Sequence, residues 1–132
     1  MRYRRLGQSG LRVSEIALGS WLTYGGSVDR STAIACVRRA VELGVNYLDT
    51  ADIYARGEAE RTLAEAIEPY ERHKLVIATK AFWPMSQDPN DRGLSRKHII
   101  ESVHQSLRRM KTDYVDIFYC HRHDSETPLD ET

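Results

Sequence analysis

Cysteine is scarce: Cys36 and Cys120 are the only two in 132 residues. Two thiols cannot form the disulfide framework that holds small secreted domains together, so a reducing, cytoplasmic setting is expected. A charge surplus is also missing, with 19 basic side chains balancing 19 acidic ones. Proteins that bind nucleic acid by neutralising phosphates carry a basic excess, so nucleic acid is not an expected partner. No apolar run approaches the ~20 residues of a membrane span. The basic residues at the start, Met1 to Gly7, lack the apolar segment of a secretory leader, so no membrane insertion is expected. Low-complexity runs are absent too. What remains, 41% hydrophobic and 29% charged residues, is the composition of one folded domain rather than a disordered chain.

The pattern along that domain alternates. Tyr3–Leu6 and Leu11–Ser14, joined by a glycine-containing turn, read as a hairpin. Glu15–Gly19 reads as a first buried strand, and Asn46–Asp49, Leu75–Lys80 and Tyr114–Cys120 as three more. Helices are expected from about Asp29 to Leu43, from Glu58 to Ile67 and from Ser95 to about Met110. Asp29 and Ser95 are placed to cap two of them, and Gly44 to end the first. The apolar stripes are Ala33, Val37, Ala40 and Val41, then Ala59, Leu63, Ala66 and Ile67, then Ile99, Val103, Leu107 and Met110. Helix-connected apolar strands imply a parallel sheet covered on both faces, either an open doubly wound sheet or a (β/α) barrel. No G-x-G-x-x-G follows the first strand, against a Rossmann nucleotide site. A complete (β/α)8 barrel takes ~250 residues, so four strands make about half of one.

Parallel α/β folds hold their sites at the carboxyl ends of strands. Asp49, Tyr54, Lys80 and His121 fall there. Taken singly, each has an ordinary reading as a cap, a solvated terminus or a packing residue. Together they make a proton-transfer set. A phenol gives up its proton at neutral pH only where a cation stabilises the phenolate, which Lys80 beside Tyr54 would do. Asp49 would compensate the buried lysine. His121 could orient a carbonyl oxygen, and such a set suits carbonyl reduction with hydride from a cofactor.

The same residues carry a resemblance. Asp49–Tyr54, Lys80 after Val76–Thr79, and Tyr114–His121 resemble the aldo-keto reductases. Arg5–Ser14, Leu18–Trp21 and Gly93–Ile100 are similar as well, most closely to the branch containing potassium-channel β-subunits and their bacterial relatives. The resemblance covers the whole chain. It implies one partial domain over residues 1–132, an N-terminal hairpin followed by about four β/α units of a (β/α)8 TIM barrel. It implies an oxidoreductase that reduces small aldehydes or ketones to alcohols with NADP(H), with the catalytic tetrad on Asp49, Tyr54, Lys80 and His121. Cofactor contacts from this half would fall on Ser20, Trp21 and Asp49; no metal is implied. The pyrophosphate and 2′-phosphate contacts normally lie in the half not present. A homo-oligomer is compatible with that branch, but no contact for one is readable in these residues. The alternative readings are a nucleotide-binding regulatory or structural subunit, and an inactive truncated remnant.

Other signals are read blandly. Cys36 and Cys120 are expected to be packed, and His73, His98 and His104 solvated. Arg38–Arg39 and Arg108–Arg109 are expected on a solvated face. His121 and His123 form an H-x-H that could hold a metal, but that reading leaves the rest of the pattern unexplained. Phe82 and Trp83 could wall a substrate pocket or pack within their own loop.

Overall fold

Two three-residue strands, β1 (Tyr3–Arg5) and β2 (Arg12–Ser14), pair antiparallel with Tyr3 opposite Ser14. The computed structural model describes residues 1–132. After this hairpin come β3 (Ala17–Gly19), α1 (Arg30–Glu42), β4 (Tyr47–Asp49), α2 (Glu58–Ile67), β5 (Val76–Ala81), α3 (Arg96–Met110) and β6 (Ile117–Cys120). The last four strands form one parallel sheet in sequence order, β3-β4-β5-β6. The hairpin ties to the first β/α unit through the Tyr3 hydroxyl, which donates to the Gly44 carbonyl at 2.8 Å.

The helix starts follow local chemistry. The Asp29 carboxylate accepts from the Thr32 N–H at 3.0 Å, and the Ser95 hydroxyl from the His98 N–H at 3.2 Å, satisfying donors that a first helical turn leaves orphaned. α1 ends at Gly44, whose φ of +91° suits the left-handed C′ position.

The strand register assigns the faces. Leu18, Leu48 and Ile77 stand in line on one face, and Leu48 and Ile77 join Val37, Leu63 and Met110 in the core beneath the helices. On the opposite face Tyr47 and Tyr119 share a hydrogen bond between their hydroxyls at 2.9 Å, with Asp49 at the carboxyl end of β4 and Lys80 in register with Tyr119. The sequence pattern predicts a sheet covered on both faces. Residues of all three helices share one core cluster with Leu48 and Ile77, so the helices lie along a single face, which favours a curved barrel segment over an open doubly wound sheet.

Several sequence expectations fail for identifiable reasons. β3 is not a buried strand: Ala17 and Gly19 are exposed, because β3 has a neighbour on one side only. The fourth strand begins at Ile117, not Tyr114. The Asp116 carboxylate takes the Ile77 N–H at 2.8 Å and the Arg72 guanidinium at 2.7 Å, so a side chain stands where a ladder carbonyl would have been. On α3 the stripe of Ile99, Val103 and Leu107 is half-buried, while His98, Ser102, Ser106 and Arg109 are buried. His98 and Arg109 are thus not solvated. Cys36 and Cys120 are both exposed free thiols rather than packed ones.

Candidate active site

Past its last ladder pair, the backbone after β4 stays fastened to β5. The Thr50 N–H donates to the Ala78 carbonyl at 2.9 Å and the Asp52 N–H to the Lys80 carbonyl at 3.2 Å. Tyr54 follows at once and opens a tight turn. Ala55, Arg56 and Gly57 have φ of 47°, 51° and 89°, three left-handed residues in succession. For the two non-glycines that conformation costs on the order of 1–3 kcal/mol each. Such a turn persists only where its surroundings hold it. The Ile53 N–H donates to the Asp52 carboxylate at 2.6 Å, and the Arg56 guanidinium donates to the Met85 carbonyl at 3.2 Å, joining the turn to the loop that carries Trp83. Gly57 has a second reason to be glycine, since a Cβ there would lie 2.5 Å from Cδ of Arg109.

Lys80 rises from β5 into this turn. Its ammonium donates to the Asp49 carboxylate at 2.6 Å, to the Thr50 carbonyl at 2.8 Å and to the Tyr54 hydroxyl at 3.2 Å. Three acceptors match the three protons of an ammonium, so a lysine that is 13% exposed is fully partnered. The Tyr54 oxygen accepts from Lys80, which leaves the hydroxyl's own proton free to donate elsewhere.

His121 completes the group from the end of β6, where its N–H bonds the Ala81 carbonyl at 3.1 Å. Its ring meets that of Tyr54 edge to face, with centroids 5.7 Å apart. Burial first, then the charges of Lys80 and Arg122, hold the imidazole below its ordinary pKa against the opposing pull of Asp49. The ring is therefore neutral at neutral pH. Nδ1 is enclosed without a partner, which leaves Nε2 to face a ligand.

Asp49, Tyr54, Lys80 and His121 are thus brought together on one rim. Beside them lies a cavity of about 400 Å³ lined by Trp21, Ile53, Tyr54, Trp83, His121 and Arg122. Trp21 is 69% exposed and lies 6.4 Å from the Tyr54 ring, centroid to centroid. Ser20 is buried, its N–H bonds the Asp49 carbonyl at 3.0 Å, and its hydroxyl has no partner. An orphaned hydroxyl beside a bare aromatic face fits the amide-bearing ring of a nicotinamide. Trp83 also reaches the rim, with its ring centroid 6.4 Å from that of His121 and 5.1 Å from that of Phe82. The His, Cys, Asp and Glu side chains form no metal-ligating cluster.

Sequence reasoning missed the support beneath this rim. Asp52 is fully buried and accepts from the Ser102 hydroxyl at 2.8 Å. Glu60, fully buried on α2, accepts from the Thr79 hydroxyl at 2.7 Å and from the Arg109 guanidinium. Arg109 also donates to Ser106 at 3.2 Å. One signal was available: His98, Ser102, Ser106 and Arg109 recur at helical spacing on α3, a polar seam beside the apolar one.

Burial pushes the Asp52 carboxyl up to about 6, with the neighbouring Glu60 charge adding to the rise and the Ser102 hydrogen bond opposing it. Folding therefore favours the protonated acid. Its contribution to stability is complete below pH 3.8 and is lost as pH rises towards 6. A rise of that size is worth about 3 kcal/mol. In urea unfolding, Asp52→Asn should gain on the unsubstituted protein across that window and hold a constant difference above it. A difference that ignores pH would contradict this account.

Residues 15–132 match the family model described as the aldo/keto reductase family. Over its whole length the chain is 46% identical to a protein of Oryza sativa subsp. japonica described as a probable voltage-gated potassium channel subunit beta. It is also 46% identical to a protein of the same description from Arabidopsis thaliana. It covers 40% of each, so it spans less than half the length of these relatives. Among solved structures, it superposes on an aldo-keto reductase from Bacillus halodurans in its holo form with a TM-score of 0.87 at 35% identity. A thermostable aldo-keto reductase in complex with the inhibitor epalrestat gives a TM-score of 0.84 at 31% identity. The alignments cover 99% of this chain and 43% and 46% of those proteins. The expectation of an incomplete (β/α)8 barrel is met.

Proposed function

The chain belongs to the aldo/keto reductase family, and on that premise we propose that it is an NADP(H)-dependent oxidoreductase that reduces small aldehydes or ketones to alcohols. Residues 1–132 are read as one partial domain of that enzyme, carrying the reacting half of the site. The observation that supports the reading most is the direction of hydrogen bonding at Tyr54. Its oxygen accepts from Lys80, so its proton is free to go to a substrate in the cavity.

In this reading Ser20, Trp21 and Asp49 hold the nicotinamide end of the cofactor, which when bound supplies hydride to the carbonyl carbon. Tyr54 donates its proton to the carbonyl oxygen as charge develops there. Lys80 lies 3.2 Å from the phenol oxygen and stabilises the phenolate left behind, and Asp49 at 2.6 Å keeps that ammonium oriented. Neutral His121 hydrogen-bonds the same carbonyl oxygen and fixes its direction without competing as an acid. Trp21 and Trp83 supply the apolar walls that exclude water.

A second reading has its own support, because both plant relatives are described as channel β-subunits. There the chain would bind nucleotide and act through protein contacts. A cytoplasmic setting is part of the proposal and suits two exposed, free thiols. No helix is long and apolar enough to cross a membrane.

The test uses a feature of the site: Trp21 and Trp83 are the only tryptophans, and both line the cavity. Titrating NADPH while following tryptophan emission, then adding benzaldehyde and following NADPH oxidation, separates the readings. Saturable quenching with turnover is the expected result. Quenching without turnover would favour the nucleotide-binding subunit, and neither response would overturn both.

A further inference from the structure

α3 carries a histidine that the rim does not use. His98 is 1% exposed, and both of its ring nitrogens lack a hydrogen-bond partner. A buried polar group left unpaired costs about 1–3 kcal/mol, and this ring has two. It lines a cavity of about 370 Å³ that has no apolar side chain in its wall. The charged members of that wall are Asp88, Asp91 and Glu101 against Lys97 alone. Lys97 is already turned to Glu101 one helical turn on, at 3.5 Å. The whole wall comes from residues 86–105, the loop between β5 and α3 and the α3 flank beside it, and it shares no residue with the cavity at the rim. The loop is fastened to itself: the Gly93 N–H donates to the Phe82 carbonyl at 2.8 Å and the Met85 N–H to the Asp91 carbonyl at 3.2 Å. Its carboxylates are therefore held in place before a ligand arrives.

We propose that this cavity binds a protonated aliphatic amine, with His98 and Asp91 as its shared acceptors. Nδ1 of His98 and the Asp91 carboxylate are 3.7 Å apart, too far to bond each other. One ammonium nitrogen fits between them, about 2.9 Å from each, and donates a proton to both. The ring must be neutral to accept, with its own proton on Nε2. Burial holds it below its ordinary pKa against the pull of Asp91. The cavity is larger than one ammonium needs, and Asp88 and Glu101 offer acceptors for a second, so a short diamine uses the wall best. Other ligand classes fit less well. An anion would meet three carboxylates, and a carbonyl compound would find no apolar surface. One imidazole and one carboxylate are too few ligands for a dedicated metal site. The inference stands apart from the functional reading, since it needs neither cofactor nor turnover.

Calorimetric titration with 1,4-diaminobutane tests it, with nitrogen NMR of the histidine rings alongside. The expected result is saturable one-to-one binding with a dissociation constant of about 1 mM or below. The His98 ring should shift on binding to the form with its proton on Nε2. Asp91→Asn keeps the shape of the side chain and removes its charge, and should raise the dissociation constant roughly tenfold or more. Asp113→Asn neutralises an exposed carboxylate outside the cavity and should leave it within about twofold. The NMR readout needs no variant, so the test survives a substitution that fails to fold. No saturation by about 10 mM would overturn the proposal. So would binding that leaves the His98 resonances unmoved, or equal weakening by the two variants. Magnesium chloride binding as tightly as the diamine would overturn it too, since the cavity would then read charge alone.

Discussion

Replacing Tyr54 by phenylalanine is expected to lower kcat for aldehyde reduction by about 10²–10⁴-fold, the range that a positioned general acid contributes. The substitution removes one oxygen and leaves the ring, so the 6.4 Å approach of Trp21 and the edge-to-face contact with His121 remain. The Lys80 ammonium loses its weakest acceptor, at 3.2 Å, and keeps Asp49 and the Thr50 carbonyl. NADPH quenching of the tryptophans should therefore change less than threefold. A loss of kcat with binding retained is the signature of an interaction made in the transition state alone. A loss of binding in proportion would instead assign Tyr54 to holding the cofactor, and undiminished turnover would remove it from the chemistry.

Arg109→Met should be the most destabilising single change, by about 3–5 kcal/mol in urea unfolding, because it strands a buried carboxylate. Glu60 is fully buried, and after the substitution only the Thr79 hydroxyl remains to it. The partner variant separates this from lost packing. Glu60→Leu combined with Arg109→Met removes both charges and should recover most of the loss, since a buried ion pair replaced by apolar groups is often near neutral. If the double variant is as unstable as Arg109→Met alone, the loss comes from the contact between Arg109 and the Gly57 turn. A loss under 1 kcal/mol would show that the pair is solvated.

The sequence placed the four rim residues more accurately than the layers beneath them. Asp49, Lys80 and His121 were legible because parallel strands deliver their carboxyl ends to one rim, and Tyr54 because it follows Asp49 within five residues. α2 was legible to its bounds, Glu58–Ile67, since its apolar stripe is also its buried face. α3 misled because Ile99, Val103 and Leu107 mark a half-buried flank, while the seam packed inward is polar. Ser102 and Arg109 are buried because Asp52 and Glu60, 50 and 49 residues earlier, wait there with acceptors, and Ser106 accepts from Arg109. No local pattern carries that pairing. Cys120 misled in the same way: its strand is apolar, but β6 has no neighbour on its far side.

Carbonyl reduction at this rim can be followed through the hydride itself. NADPH carrying deuterium at the reactive carbon of its nicotinamide is incubated with benzaldehyde and the protein, and the alcohol is analysed by mass spectrometry. Reduction at this rim predicts benzyl alcohol with deuterium on the carbinol carbon and a proton on the oxygen, and almost none of it from Tyr54→Phe. Saturable NADPH binding with no deuterated alcohol would contradict the account and leave nucleotide binding as the function of the site.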